Sequence, residues 1–109
     1  MALVKKYYYV YMLSNVHRTT LYTGFTGNLL IRIWQHKKKV KRYSFSAKYN
    51  CDRLVYFEVT DDVLVAKARE KQLKNWKREW KETLVHQENP NWEDLAESWY
   101  DSEEWLFAG

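Results

Sequence analysis

The chain has 109 residues, 46% hydrophobic and 17% aromatic, which suits one globular domain and excludes two separate cores or a disordered chain. A single cysteine, Cys51, excludes an internal disulfide and leaves too little thiol for a zinc site, so it reads as a small apolar residue in or beside a strand. The net charge is +4, but seven acids and no lysine or arginine follow His86, so the first 85 residues set eighteen basic residues against seven acids and carry about +11.

So basic a body suits a polyanion, because every phosphate contact releases condensed counterions. The plainer reading is a merely solvated surface. No apolar run approaches the ~20 residues of a membrane span, and the N-terminus lacks the apolar core of a signal peptide. A cytoplasmic protein with no membrane partner is expected.

In chain order, residues 5–13 (KKYYYVYML) alternate with period two and predict a strand, with Tyr7, Tyr9, Tyr11 and Leu13 on one face and Tyr8, Val10 and Met12 on the other. Residues 14–19 make a polar connection of hairpin length, so residues 20–23 should pair with the first strand antiparallel. Gly24 and Gly27 read as turn punctuation, spending two of three glycines in one place. From Asn28, a plausible N-cap, the spacing becomes helical, with Leu29, Leu30, Ile33 and Trp34 on one stripe. Arg32 and His36, four apart, share a helix face at the border of that stripe. The strand, glycine turn and helix thereby bring the phenol of Tyr22, the guanidinium of Arg32 and the imidazole of His36 into one neighbourhood.

A dense basic run follows, with Lys37, Lys38, Lys39, Lys41 and Arg42, and it leads into residues 43–50, where Tyr43, Phe45 and Tyr49 alternate with serines and Lys48. Cations interleaved with aromatics suit a nucleic-acid strand, through backbone attraction and base stacking. Lysines after a helix also simply complement its dipole.

Residues 53–59 (RLVYFEV) predict a third strand with Val55, Phe57 and Val59 on one face. Thr60 is expected to cap a long helix running to about Val85, with Asp61 and Asp62 in its positive first turn and Ala66, Leu73, Trp76, Trp80 and Leu84 as its apolar stripe. Glu70 interrupts that stripe: a carboxylate at the core edge calls for an ion pair, with Arg69, Lys74 or a strand residue, or for a bound cation. Beyond Pro90 a final helix is expected over about 91–107, with Trp92, Leu95, Ala96, Trp99 and Leu106 on its apolar face and acids on the other. It would close the core; a less favoured role is an acidic flap lying in the basic cleft.

Hydrolysis of a phosphodiester needs an activated water, a positive group on the phosphate and relief of charge on the leaving oxygen. A tyrosine beside cations can act as base, Arg32 can grip two phosphate oxygens, and Glu70 can anchor one Mg²⁺. Acyl transfer, redox and zinc chemistry lack their residues.

At these positions the sequence resembles the GIY-YIG nuclease superfamily, in the small single-domain branch related to the N-terminal nuclease domain of the UvrC excision-repair subunit. Tyr9-Val10-Tyr11 stands at the first triplet and Tyr22-Thr23-Gly24 at the second, with Arg32 ten residues on and Glu70 within residues 68–72 (AREKQ). The stretches SAKYN, DRLVYFE and NPNWEDL add to the likeness, which spans most of residues 7–95. Tyr9 stands where the family has glycine and Thr23 where it has isoleucine; Asn89 or Asn91 are the candidates for the family's late asparagine.

The resemblance implies an α+β fold, a small three-stranded antiparallel sheet flanked by helices, in one domain spanning residues 1–109. It implies DNA hydrolysis with one Mg²⁺ or Mn²⁺. Tyr11 or Tyr22 would position or deprotonate the water, Arg32 would hold the phosphate, and Glu70 would bind the metal. His36 would orient the phosphate or a tyrosine. Without a second DNA-binding domain, specificity would come from DNA structure, from a partner protein, or be absent. Two rival readings share these residues: a nucleic-acid-binding module without turnover, and an interaction subunit docking through its acidic C-terminal segment.

Overall fold

A computed structural model of the chain describes residues 5–102. Three strands form one antiparallel sheet in the order β2-β1-β3, from β1 (Tyr8–Ser14), β2 (Leu21–Thr26) and β3 (Arg53–Thr60). Four helices join them: α1 (Leu29–Lys37), the short α2 (Phe45–Lys48), α3 (Val63–Asn75) and α4 (Arg78–Glu88). The expected α+β architecture, a small antiparallel sheet flanked by helices, is the one observed.

The alternation of β1 sorts the core into two faces. Tyr11 and Leu13 pack with Leu29 and Ile33 of α1, Leu54 of β3 and Ala96, while Val10 packs with Ala66 and Leu73 of α3. Met12, on that second face, meets Val55, Tyr56, Val85 of α4 and Trp92. Helices α1 and α3 therefore cover opposite sides of the sheet, with β1 central and buried between them.

Several expectations need correction. Strand β2 continues through Gly24 to Thr26, with Tyr11 paired to Gly24, so this glycine sits inside a ladder and not in a turn. The face of β3 does not run through Val55, Phe57 and Val59. A register shift between Met12 and Leu13 leaves Val55 on the Met12 side, while Phe57 lies against Tyr9 and Trp99 on the other. The α3 cap is Asp62, whose carboxylate accepts from the Leu64 and Val65 amides.

The long helix is two helices, broken at Trp76 and Lys77, which adopt extended backbone angles. Both Leu73 and Val85 are fully buried on the same side of the sheet. Twelve residues apart on one helix they would point about 120° apart. The break resets the phase so that each faces the core.

Helix formation over 91–107 is replaced by turns across 91–102, and the rest of that segment, Leu106 included, lies outside the described residues. Asp94 explains why. Its carboxylate accepts from the Leu54 and Ala96 amides, at 3.0 Å each, and the Leu95 amide donates to the Leu54 carbonyl at 2.8 Å. Backbone groups needed for a helix are thus spent on β3. Trp92 and Ala96 are still buried, so the segment closes the core as expected. Among the described residues no helix is long and apolar enough to cross a membrane.

Candidate active site

Gly24 decides where Tyr11 goes. The two residues are direct partners across β1 and β2, and a Cβ at position 24 would stand 2.4 Å from both Cζ and Oη of Tyr11. With hydrogen there instead, the buried phenol lies across the edge strand β2. Its hydroxyl meets Nε2 of His36 on α1 at 2.8 Å.

Helix α1 sets the other groups. Asn28 caps it, accepting from the Ile31 amide at 3.1 Å, and Leu29 and Ile33 anchor its buried face. Arg32 and His36, one turn apart, then project from its flank. Nδ1 of His36 contacts Oγ of Ser46 at 2.8 Å, tying α1 to α2. Tyr22 stands beside both, its ring 6.3 Å from that of Tyr11 and 5.4 Å from that of His36.

These side chains open onto a cavity of about 190 Å³ lined by Tyr22, Arg32, Gln35, His36, Lys39, Lys41, Ser44 and Ser46. It contains three cations and no carboxylate, so its field favours an anion. Arg32 supplies a planar fork suited to two phosphate oxygens. Burial, then the charges of Arg32 and Lys41, lower the pKa of His36 to about 4, so the imidazole is neutral at pH 7. Burial first, then Tyr22 and Glu70, push the Tyr11 phenol well above its ordinary range despite the opposing pull of Arg32. Tyr11 is thereby a protonated donor behind the cavity wall, whereas Tyr22 faces the cavity. A neutral imidazole has one acceptor nitrogen; giving it to the Tyr11 proton leaves Nδ1–H to donate to Ser46.

Glu70 approaches from α3. It does not line the cavity, but its charge reaches the Tyr11 hydroxyl, as does that of Arg32. Of the ion pairs open to it, it makes the one to Lys74, at 3.2 Å, while Arg69 is taken by Glu58. No group of three or more His, Cys, Asp or Glu side chains able to hold a metal occurs among the described residues. A lone, three-quarters-buried carboxylate with only a loose lysine partner does not fit a metal caged wholly by protein. It does fit Mg²⁺ or Mn²⁺, of which Mg²⁺ keeps several waters and takes one or two carboxylates plus substrate phosphate.

The basic run divides. Lys39 and Lys41 line the cavity, while Lys38 and Arg42 are exposed. Lys48 lies 5.5 Å over the Tyr49 ring. Lys37 departs from the expected role: its ammonium donates to the Asp52 carbonyl at 2.8 Å and pairs with Asp94, half-buried. Asn89 is likewise spent on structure, donating to the carbonyls of Val55 and Glu93 and accepting from the Glu93 amide. Ser46 joins the site through His36 without any mark in the sequence. It lies within SAKYN, yet a serine carries no charge or periodic signal that would mark it as the partner of His36.

Residues 7–83 match the model of the GIY-YIG catalytic domain family. Among solved structures, the chain is similar to a UPF0213 protein from Bacillus halodurans determined by solution NMR, with 27% identity and a TM-score of 0.53 over 84% of this chain and 97% of that one. No curated protein matches the chain.

Proposed function

This chain belongs to the GIY-YIG catalytic domain family, a family of nucleases, and from that premise we propose that it is a metal-dependent endonuclease hydrolysing DNA phosphodiesters in the cytoplasm, in repair or recombination. The observation that carries the reading is the cation-lined cavity in which Tyr22, Arg32 and His36 converge, backed by the protonated Tyr11.

In this reading the scissile phosphate enters the cavity and Arg32 holds two of its oxygens, with Lys39 and Lys41 adding positive potential. A water attacks phosphorus, the P–O bond to the leaving oxygen breaks, and that oxygen leaves with a proton from solvent. Tyr22 contacts the water and accepts its proton while passing its own to Tyr11, whose proton moves in turn to Nε2 of His36. A neutral His36 is what makes that acceptor available. Glu70 would hold one Mg²⁺ or Mn²⁺, which when bound supplies Lewis-acid stabilisation of the charge building on the phosphate.

The test is a time course on labelled duplex, single-stranded and branched DNA with Mg²⁺ and with chelator. Wild type cuts only with metal, and Arg32→Ala and Glu70→Ala each slow cleavage by about a hundredfold or more. Binding without cleavage under every metal condition would replace this reading with a nucleic-acid-binding module. Unchanged cleavage in both variants would remove the site.

A further inference from the structure

Phosphodiester hydrolysis makes no use of the aromatic side chains around α2, and they are conspicuously uncovered. Tyr43, Phe45 and Tyr49 are 93%, 49% and 43% exposed, three aromatic rings within seven residues of one short segment. Phe45 and Tyr49 also form a series that begins at Tyr22 of the cavity. The Phe45 ring stacks near-parallel with that of Tyr22, centroids 6.2 Å apart at 27°, and the Tyr49 ring follows at 4.7 Å from Phe45.

The series is tied to the site by hydrogen bonds. Ser44 caps α2 by accepting from the Ala47 amide, Ser46 is tied to His36 at 2.8 Å, and the Cys51 amide donates to the Ser46 carbonyl at 2.8 Å. Its surroundings are cationic: Lys48 over Tyr49, with Lys39 and Lys41 in the adjoining cavity. Exposed ring faces beside cations, continuous with an anion cavity, are complementary to a chain of alternating phosphates and flat bases. An apolar peptide would leave those cations unpaired.

We propose that Phe45 and Tyr49 are a stacking platform for unpaired bases, so that the DNA taken by this site is single-stranded beside the scissile phosphate, as in a free strand, flap or junction. A fully paired duplex cannot offer a base face there without unstacking. The statement about where the strand is cut rests on the nuclease reading above; the statement about binding does not.

The experiment uses the full chain in chelator, with fluorescence anisotropy of a short oligodeoxythymidylate and of the same sugar-phosphate strand carrying abasic positions. Wild type binds the base-bearing strand about tenfold more tightly per stacked base. The Phe45→Leu/Tyr49→Leu double variant, with its fold checked by circular dichroism, binds both strands alike. Where that variant does not fold, Tyr49→Leu alone, at an exposed position, reduces the discrimination. Equal binding of both strands by wild type, or full discrimination retained by the folded variant, overturns the proposal. Cleavage is scored separately with Mg²⁺. Discrimination without cleavage removes the nuclease reading and leaves the platform; cleavage without discrimination does the reverse.

Discussion

The Tyr11 phenol lies across Gly24, its direct partner in the β1–β2 ladder, at a separation that leaves no room for a methyl group. Tyr11 is fully buried and its hydroxyl is bonded to His36, so it cannot swing aside cheaply. Gly24→Ala is therefore expected to cost about 1–3 kcal/mol of stability in urea unfolding, the range for overpacking a closed core. It also breaks the Tyr11–His36 contact and lowers DNA cleavage well beyond what the stability loss explains. Gly27→Ala is the control, since a Cβ there would meet nothing closer than the Lys6 side chain at 3.5 Å.

His36 makes stability depend on acid. Its pKa falls from 6.5 unfolded to about 4 folded, so between those values the unfolded chain binds more protons. Stability is fully present above pH 6.5 and is lost as pH falls toward 4, by about 2–3 kcal/mol once the full conversion is reduced for the ring's partial exposure to solvent. NMR titration of the His36 ring should give an apparent pKa near 4, and His36→Gln should flatten that part of the stability profile. A ring titrating near its ordinary value would contradict both its burial and the neutral acceptor role.

Lys37 separates structure from DNA contact. It is paired to Asp94 and to the Asp52 carbonyl, so Lys37→Ala should cost about 1–3 kcal/mol of stability. The salt dependence of DNA affinity should stay as it was. Lys41→Ala, at the cavity, should do the opposite: near-normal stability, with the log–log salt slope reduced by about 0.7–0.9. Reversed outcomes would mean that the basic run is divided in the wrong place.

How much of this was legible in the sequence follows from the range of the forces involved. The two faces of β1, the α1 cap at Asn28 and the meeting of Tyr22, Arg32 and His36 are readable, because alternation, capping and helix spacing are local, whereas Tyr11 joins them only through the family resemblance. Gly24 reads as part of a turn yet lies in the β1–β2 ladder, since a glycine that admits a neighbouring ring has the same local signature as one that turns the chain. The break at Trp76 and Lys77 carries no glycine or proline. It is imposed by the need to bury both Leu73 and Val85 on one small sheet. In the C-terminal segment Trp92 and Ala96 are buried as expected, but Leu95 is exposed and no helix forms, because Asp94 commits the local backbone to β3. Ser46 entered the site only through folding, ten residues from the histidine it touches.

Arg32 carries a charge that nothing else in the cavity presents as a planar fork. Arg32→Lys keeps the charge but loses paired contacts to two phosphate oxygens. Single-turnover cleavage should fall at least tenfold, with DNA affinity changed by only a few-fold, because the lost interaction strengthens as charge builds on the phosphate. Equal losses in affinity and rate would assign Arg32 to binding alone.

Glu70 has one close partner, Lys74, at 3.2 Å and one turn away on the exposed side of α3. An ammonium beside a carboxylate competes with a divalent ion for the same oxygens. Helix pairs of this spacing are worth about 0.3–0.5 kcal/mol, so Lys74→Ala should lower the half-saturating Mg²⁺ concentration by about twofold. Glu70→Ala should reduce cleavage to the level wild type shows in chelator, and adding Mg²⁺ should not restore it. The two variants move the metal response in opposite directions, which a general loss of folding cannot do. A Lys74→Ala response identical to wild type, together with a Glu70→Ala enzyme still activated by Mg²⁺, would move the ion to other ligands.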